Sequence, residues 1–103
     1  MPSGEDVLPF TVDVDEAQVD DLRRRLTYAR WPDQVPGTGW DHGCDQQWLR
    51  DLADHWASGF DWRAAEARIN AFDQIVTTID GQRIHAIHQR SPESGARALL
   101  LSH

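Results

Sequence analysis

The sequence predicts an α+β fragment: a helical meander with a short strand, then a β-hairpin and the first parallel strand of a sheet that is incomplete within these residues. Three observations predict it. Apolar residues recur at helical spacing between residues 16 and 72, and the pattern changes to period two at Ile75. The closing tract Ala98-Leu99-Leu100-Leu101 is apolar on both faces, as in a parallel strand covered by helices. The expected organisation is a disordered or extended tail over residues 1–9, a helical region over 10–73, and an opening hairpin and strand over 74–103.

Phe10, Val12 and Val14 alternate with Thr11 and Asp13, which reads as a short strand. Asp15 stands three residues before Gln18, a capping spacing in which the Asp side chain accepts from first-turn N–H groups. Val19, Leu22 and Leu26 then form one stripe of a helix from about Glu16 to Tyr28, with Arg23, Arg24 and Arg25 in the turns where cations suit the negative helix end. Residues 31–43 hold two prolines and three glycines and read as a loop. Trp31 and Trp40 within it imply that the loop is pinned to the body, because exposing both would leave a large apolar patch.

Asp45 is placed to cap a second helix whose apolar face is Trp48, Leu49, Leu52, Trp56 and Phe60, loosened at its end by Gly59. Asp61 is placed to cap a third, with Trp62, Ala65, Ile69 and Phe72 inward and Arg63, Glu66 and Arg68 outward. The aromatic stripe reads as core. The β-branched run from Ile75 to Ile79 and the run from Arg83 to His88 flank Asp80-Gly81, a hairpin signal because a type I′ turn needs positive φ at both central residues. Ser91-Pro92-Glu93-Ser94-Gly95 makes a further turn, and the apolar tract follows. An apolar strand needs neighbours on both edges and layers on both faces, so more polypeptide is expected after His103.

A chain of 103 residues and 11.7 kDa has room for one modest core and not for a core with a separate catalytic lobe. Seventeen acidic residues against ten basic ones, all of them Arg, set a formal charge of −7, which disfavours nucleic acid and anionic membrane surfaces as partners. Cys44 stands alone, so a disulfide-stapled scaffold is excluded and a reducing compartment is expected. No stretch approaches the roughly 18 apolar residues of a membrane span, and the first residues lack the pattern of a signal peptide; the expected address is the cytoplasm. Five Trp in so short a chain require packing partners.

In combination, several short motifs resemble the N-terminal region of the microsomal-type epoxide hydrolases of the α/β-hydrolase superfamily. They are Asp21-Leu22-Arg23-x-Arg25-Leu26, Arg30-Trp31-Pro32-Asp33, Gly39-Trp40 with Gly43, and Trp56 before Phe60-Asp61-Trp62-Arg63. Glu66, Asn70, Ile79-Asp80-Gly81, Ile84-His85, His88 and Leu99-Leu100-Leu101-Ser102-His103 complete the set. The resemblance runs from about Phe10 to the last residue. It implies that the final strand opens an α/β-hydrolase sheet and that His103 is the first residue of the family's His-Gly-x-Pro motif, whose backbone N–H helps form an oxyanion hole. It also implies the family's reaction, hydrolysis of epoxides to vicinal diols through an alkyl-enzyme ester. The nucleophilic Asp, the acid, the general-base His and the lid tyrosines would lie beyond these residues, so no catalytic residue is assigned here.

The residues themselves suggest no substitute machinery, no metal and no cofactor. Ser102 and His103 are strand neighbours that point to opposite faces. His85 and His88, three apart, do the same and would not share a metal. His42 and Cys44 offer one N and one S ligand with no second pair. Tyr28 belongs to the first helix. The resemblance implies a meander that wraps the catalytic body and clasps its lid, with Trp31, Trp40, Trp48, Trp56 and Trp62 as packing anchors. The expected partner is the remainder of an α/β-hydrolase catalytic domain, on the same or a separate polypeptide. The alternative is a stand-alone interaction module that pairs through an exposed strand edge with a partner or a second copy.

Overall fold

The computed structural model describes residues 6–102. In chain order these form β1 (Leu8–Phe10), α1 (Glu16–Thr27), α2 (Gln46–Ser58), α3 (Trp62–Ile69), β2 (Gln74–Ile79) and β3 (Gln82–Ile87). Three helices and a three-stranded antiparallel sheet make an α+β arrangement. The chain divides into two compact units, one being Asp13–Glu66 and the other the segment before Asp13 with the chain from Ala67 onward.

In the unit Asp13–Glu66, α1 packs against α2, with Val19, Ala53 and Ala65 as its buried apolar residues. The Asp45 carboxylate accepts from the Trp48 N–H at 2.9 Å and starts α2, which ends at Gly59. Asp61 does the same for α3, accepting from the Ala64 N–H at 3.0 Å. The expected side-chain cap at Asp15 is absent: its backbone carbonyl accepts from Gln18 and Val19. The negative charge favoured at this helix end comes from Glu16 in the first turn.

The loop of residues 31–43 is stitched by amide side chains. Gln34 Nε2 donates to the Gly39 carbonyl at 2.7 Å, while its Oε1 accepts from the Gln46 N–H at 2.7 Å. Gln46 in turn donates through its side chain to the Pro32 carbonyl. Residues that prolines and glycines keep out of helix or ladder therefore still find hydrogen-bond partners.

In the other unit the strand order is β1-β2-β3, with Phe10 opposite Gln74, Gln74 opposite Ile87 and Val76 opposite His85. The first strand lies earlier than the alternation of residues 10–14 suggests. Phe10 faces the first residue of β2, so the ladder has no partner to offer beyond it. The Val12 peptide turns instead to Asn70, whose Oδ1 accepts from the Val12 N–H at 2.8 Å and whose Nδ2 donates to the Val12 carbonyl at 2.7 Å. α3 stops at Ile69, short of Phe72: the Ile69 carbonyl accepts from the Phe72 N–H and from the Gln74 side chain, and the Asp73 N–H, which a continuing helix would direct to it, donates to Gln89 Oε1 instead. Phe72 is exposed outside the helix.

Asp80 and Gly81 have φ of 50° and 77°, the two positive values that a type I′ hairpin requires. Residues 98–101, expected as a strand, form no ladder, and Leu100 is 91% exposed. A strand exists through its neighbours' backbone groups, and none of the described strands pairs with this tract. Replacing Gly81 with Ala should lower stability by about 1 kcal/mol, because a Cβ disfavours positive φ; a urea-unfolding midpoint unchanged from the parent would contradict the turn assignment.

Candidate functional site

Two charged residues of α3, Arg63 and Glu66, form a network on the face that helical periodicity assigns to solvent. Glu66 is 9% exposed and accepts from the Val14 N–H at 2.9 Å. Arg63 donates to Glu66 at 2.9 Å and to Glu16 at 2.8 Å, joining α1 to the first turns of α3. The outward assignment of Glu66 is thus corrected: helical periodicity sees a polar residue beside an apolar stripe, but not the unpaired Val14 peptide that draws it in. The Val14 N–H, followed by the Arg63 guanidinium, holds the Glu66 carboxyl below the ordinary Glu value. The Arg63 hydrogen bond does the same for Glu16, and Arg25 and Arg24 do so for Asp21.

Beside this network lies an apolar cavity of about 230 Å³ bounded by Val14, Val19, Leu22, Trp56, Phe60 and Trp62, with Gln18 and Arg23 also contributing to its wall. A second hollow runs on past Leu52 and His55. The indole N–H of Trp62 helps slightly to hold Glu66 ionised, yet its geometry falls short of a hydrogen bond. It is the one buried side-chain polar atom without a partner among the described residues.

The five tryptophans do not gather into one cluster. Trp31 lies half-buried under the Arg50 guanidinium, 5.4 Å from the ring centre. Trp40 meets Trp48 edge to face at 5.2 Å, the arrangement that ring quadrupoles favour. Trp56 and Trp62 line the cavity. Trp48 and Trp56 remain 49% and 47% exposed, so the stripe expected as closed core is only half covered.

His103 lies outside the described residues. Ser102 is exposed, Tyr28 follows the last turn of α1, and His42 and Cys44 are exposed in the loop. His85 is on β3 and His88 beyond its end. Among the described residues, no three His, Cys, Asp or Glu side chains are grouped to hold a metal ion, and no helix is long and apolar enough to cross a membrane. The sequence reading missed the structural work of Gln34, Gln46 and Gln74, for which neutral amides leave no charge or periodicity signal. Asn70 was visible only as a member of a motif set, and Glu66 beyond that only as an outward residue of the third helix.

The family described as "Epoxide hydrolase N terminus" matches residues 7–103. A provisionally named epoxide hydrolase of Stigmatella aurantiaca is 37% identical over 94% of this chain, and epoxide hydrolase 1 of Sus scrofa is 29% identical over 96%. The matched regions are 22% and 23% of those proteins, so the chain spans about a fifth of their length. Among solved structures, Aspergillus niger epoxide hydrolase is similar with a TM-score of 0.71 and 35% identity, covering 78% of this chain and 22% of that one.

The lowered carboxyl of Glu66 has a definite pH consequence. A folded-state pKa below the unfolded one contributes stability that is present above the unfolded value, near 4.5, and is lost as pH falls through the folded value. Stability should therefore fall on acidification below about pH 4.5, and Glu66→Gln should flatten that limb while lowering stability at neutral pH. Denaturant unfolding between pH 3 and 7 checks both, and an equally steep limb in the variant would remove Glu66 as a cause.

Proposed function

This chain belongs to the epoxide hydrolase N-terminus family, and from that premise we propose that it is the N-terminal region of an epoxide hydrolase, supplying contact surface and no reactive group. The reaction of the whole protein would be hydrolysis of an epoxide to a vicinal diol through an alkyl-enzyme ester. The remainder of the α/β-hydrolase domain is the proposed partner. In this reading residues 98–101 become the first parallel strand of its sheet when neighbouring strands are present. His103 begins the oxyanion motif, and the domain division at residues 10–73 and 74–103 follows.

The observation that carries this reading is uncovered apolar surface. Leu99, Leu100 and Leu101 stand in solvent, and in the helical unit Leu22, Leu52, Trp56 and Phe60 are each exposed along one hollow. Monomeric proteins seldom leave such patches open unless another surface covers them. Trp31, Trp40, Trp48, Trp56 and Trp62 then act as anchors, in part within the unit and in part against the catalytic body and its lid.

A single substitution separates a covered strand from an exposed tail. In the 103-residue chain, Leu100→Ala should change stability by less than about 0.5 kcal/mol, as surface substitutions do. In a polypeptide that carries the catalytic domain, the same change should cost about 2–5 kcal/mol, the range for a buried leucine. Equal effects in the two would sink the strand assignment. Epoxide turnover should accompany the longer polypeptide alone, and turnover by the 103-residue chain would contradict the contact-surface role.

A further inference from the structure

The polar groups on one face of the sheet form a chain of hydrogen bonds whose direction can be worked out atom by atom. It begins at the Val12 peptide. A backbone N–H donates and a carbonyl accepts, so the pair of bonds to Val12 leaves the Asn70 amide one orientation: Oδ1 toward the N–H and Nδ2 toward the carbonyl. Gln74 then approaches two acceptors, the Ile69 carbonyl and Asn70 Oδ1, both at 3.2 Å, and a donor is required there, so its Nε2 occupies that side. The other end of the Gln74 amide, Oε1, lies 2.9 Å from His85 Nε2.

An amide oxygen only accepts. The proton of this last bond must therefore sit on His85 Nε2. We propose that Asn70 and Gln74 relay the polarity of the Val12 peptide to His85 and hold its imidazole as the Nε2–H tautomer. Nδ1 is then the free lone pair of the neutral ring.

Packing favours a single state. Gln74 is only 5% exposed, so water cannot readily replace its partners, and leaving any of them unpaired would cost a desolvated polar group. The ring is also held against Phe10, edge to face at 5.2 Å, and the Arg83 guanidinium lies over the same Phe10 ring. No hydrogen bond reaches Nδ1 among the described residues, and His85 is exposed. A group brought against this sheet face would therefore meet an oriented acceptor at His85, with a cation at Arg83 beside it, and would be selected as a neutral donor such as a hydroxyl or a peptide N–H.

The test is nitrogen NMR of the imidazoles in the 103-residue chain at about pH 8, above the ordinary histidine range. His85 should be wholly Nε2–H. Gln74→Met keeps the side-chain length and removes both hydrogen-bonding ends; it should shift His85 toward a mixture of tautomers while His88, whose ring is outside the relay, stays unchanged. An Nδ1–H or mixed His85 in the parent, or an unaltered population in the variant, overturns the proposal. If the variant fails to fold, the parent still decides: its His85 ring proton should exchange roughly five- to tenfold more slowly than that of His88, and equal rates refute the relay.

Discussion

The constraint on which the structure depends is that the segment after β1 must find partners for its peptide groups where the sheet no longer offers them. β2 begins opposite Phe10, so Val12 and Val14 have no strand of that ladder beside them. Buried peptide groups left unpaired are costly. Asn70 answers at Val12 with a donor and an acceptor on one planar amide, a copy of what a neighbouring peptide would present. Glu66 answers at Val14 with a carboxylate, and Arg63 balances that charge.

Other features follow from those two bonds. Asn70 takes up the Val12 peptide from just past the last residue of α3, Ile69. Its oxygen also receives Gln74, which brings a buried amide onto the sheet face and gives His85 its partner. Glu66 needs Arg63 for compensation, and Arg63 has a second arm for Glu16 at the start of α1. Within each unit the polar groups are linked because each satisfied atom leaves its neighbour with a single remaining role.

The apolar side is organised differently. α1 and α2 bury small residues between them, Val19 and Ala53, while the larger side chains of the same faces stay partly open. Helix amphipathicity records that a face is to be covered and not by what. The relatives that share the epoxide hydrolase N-terminus region are four to five times longer than the chain that matches them. The leucine-rich tract of residues 98–101 has no secondary structure, because a strand takes its backbone bonds from other strands and none of the described strands pairs with it.

By itself the sequence determined what depends on neighbours a few residues away. The span of α1, the caps at Asp45 and Asp61, and the Asp80-Gly81 hairpin were legible because helix periodicity, capping and turn geometry act over one to four residues. The motif set from Phe10 to His103 was likewise readable as the family's opening region, since it rests on residue identity and spacing alone. Where β1 lies, and that Glu66, Asn70 and Gln74 turn inward, were decided only by tertiary structure. Each depends on which peptide groups are left without a partner once distant segments meet, and linear order carries no record of an unpaired N–H some fifty residues away.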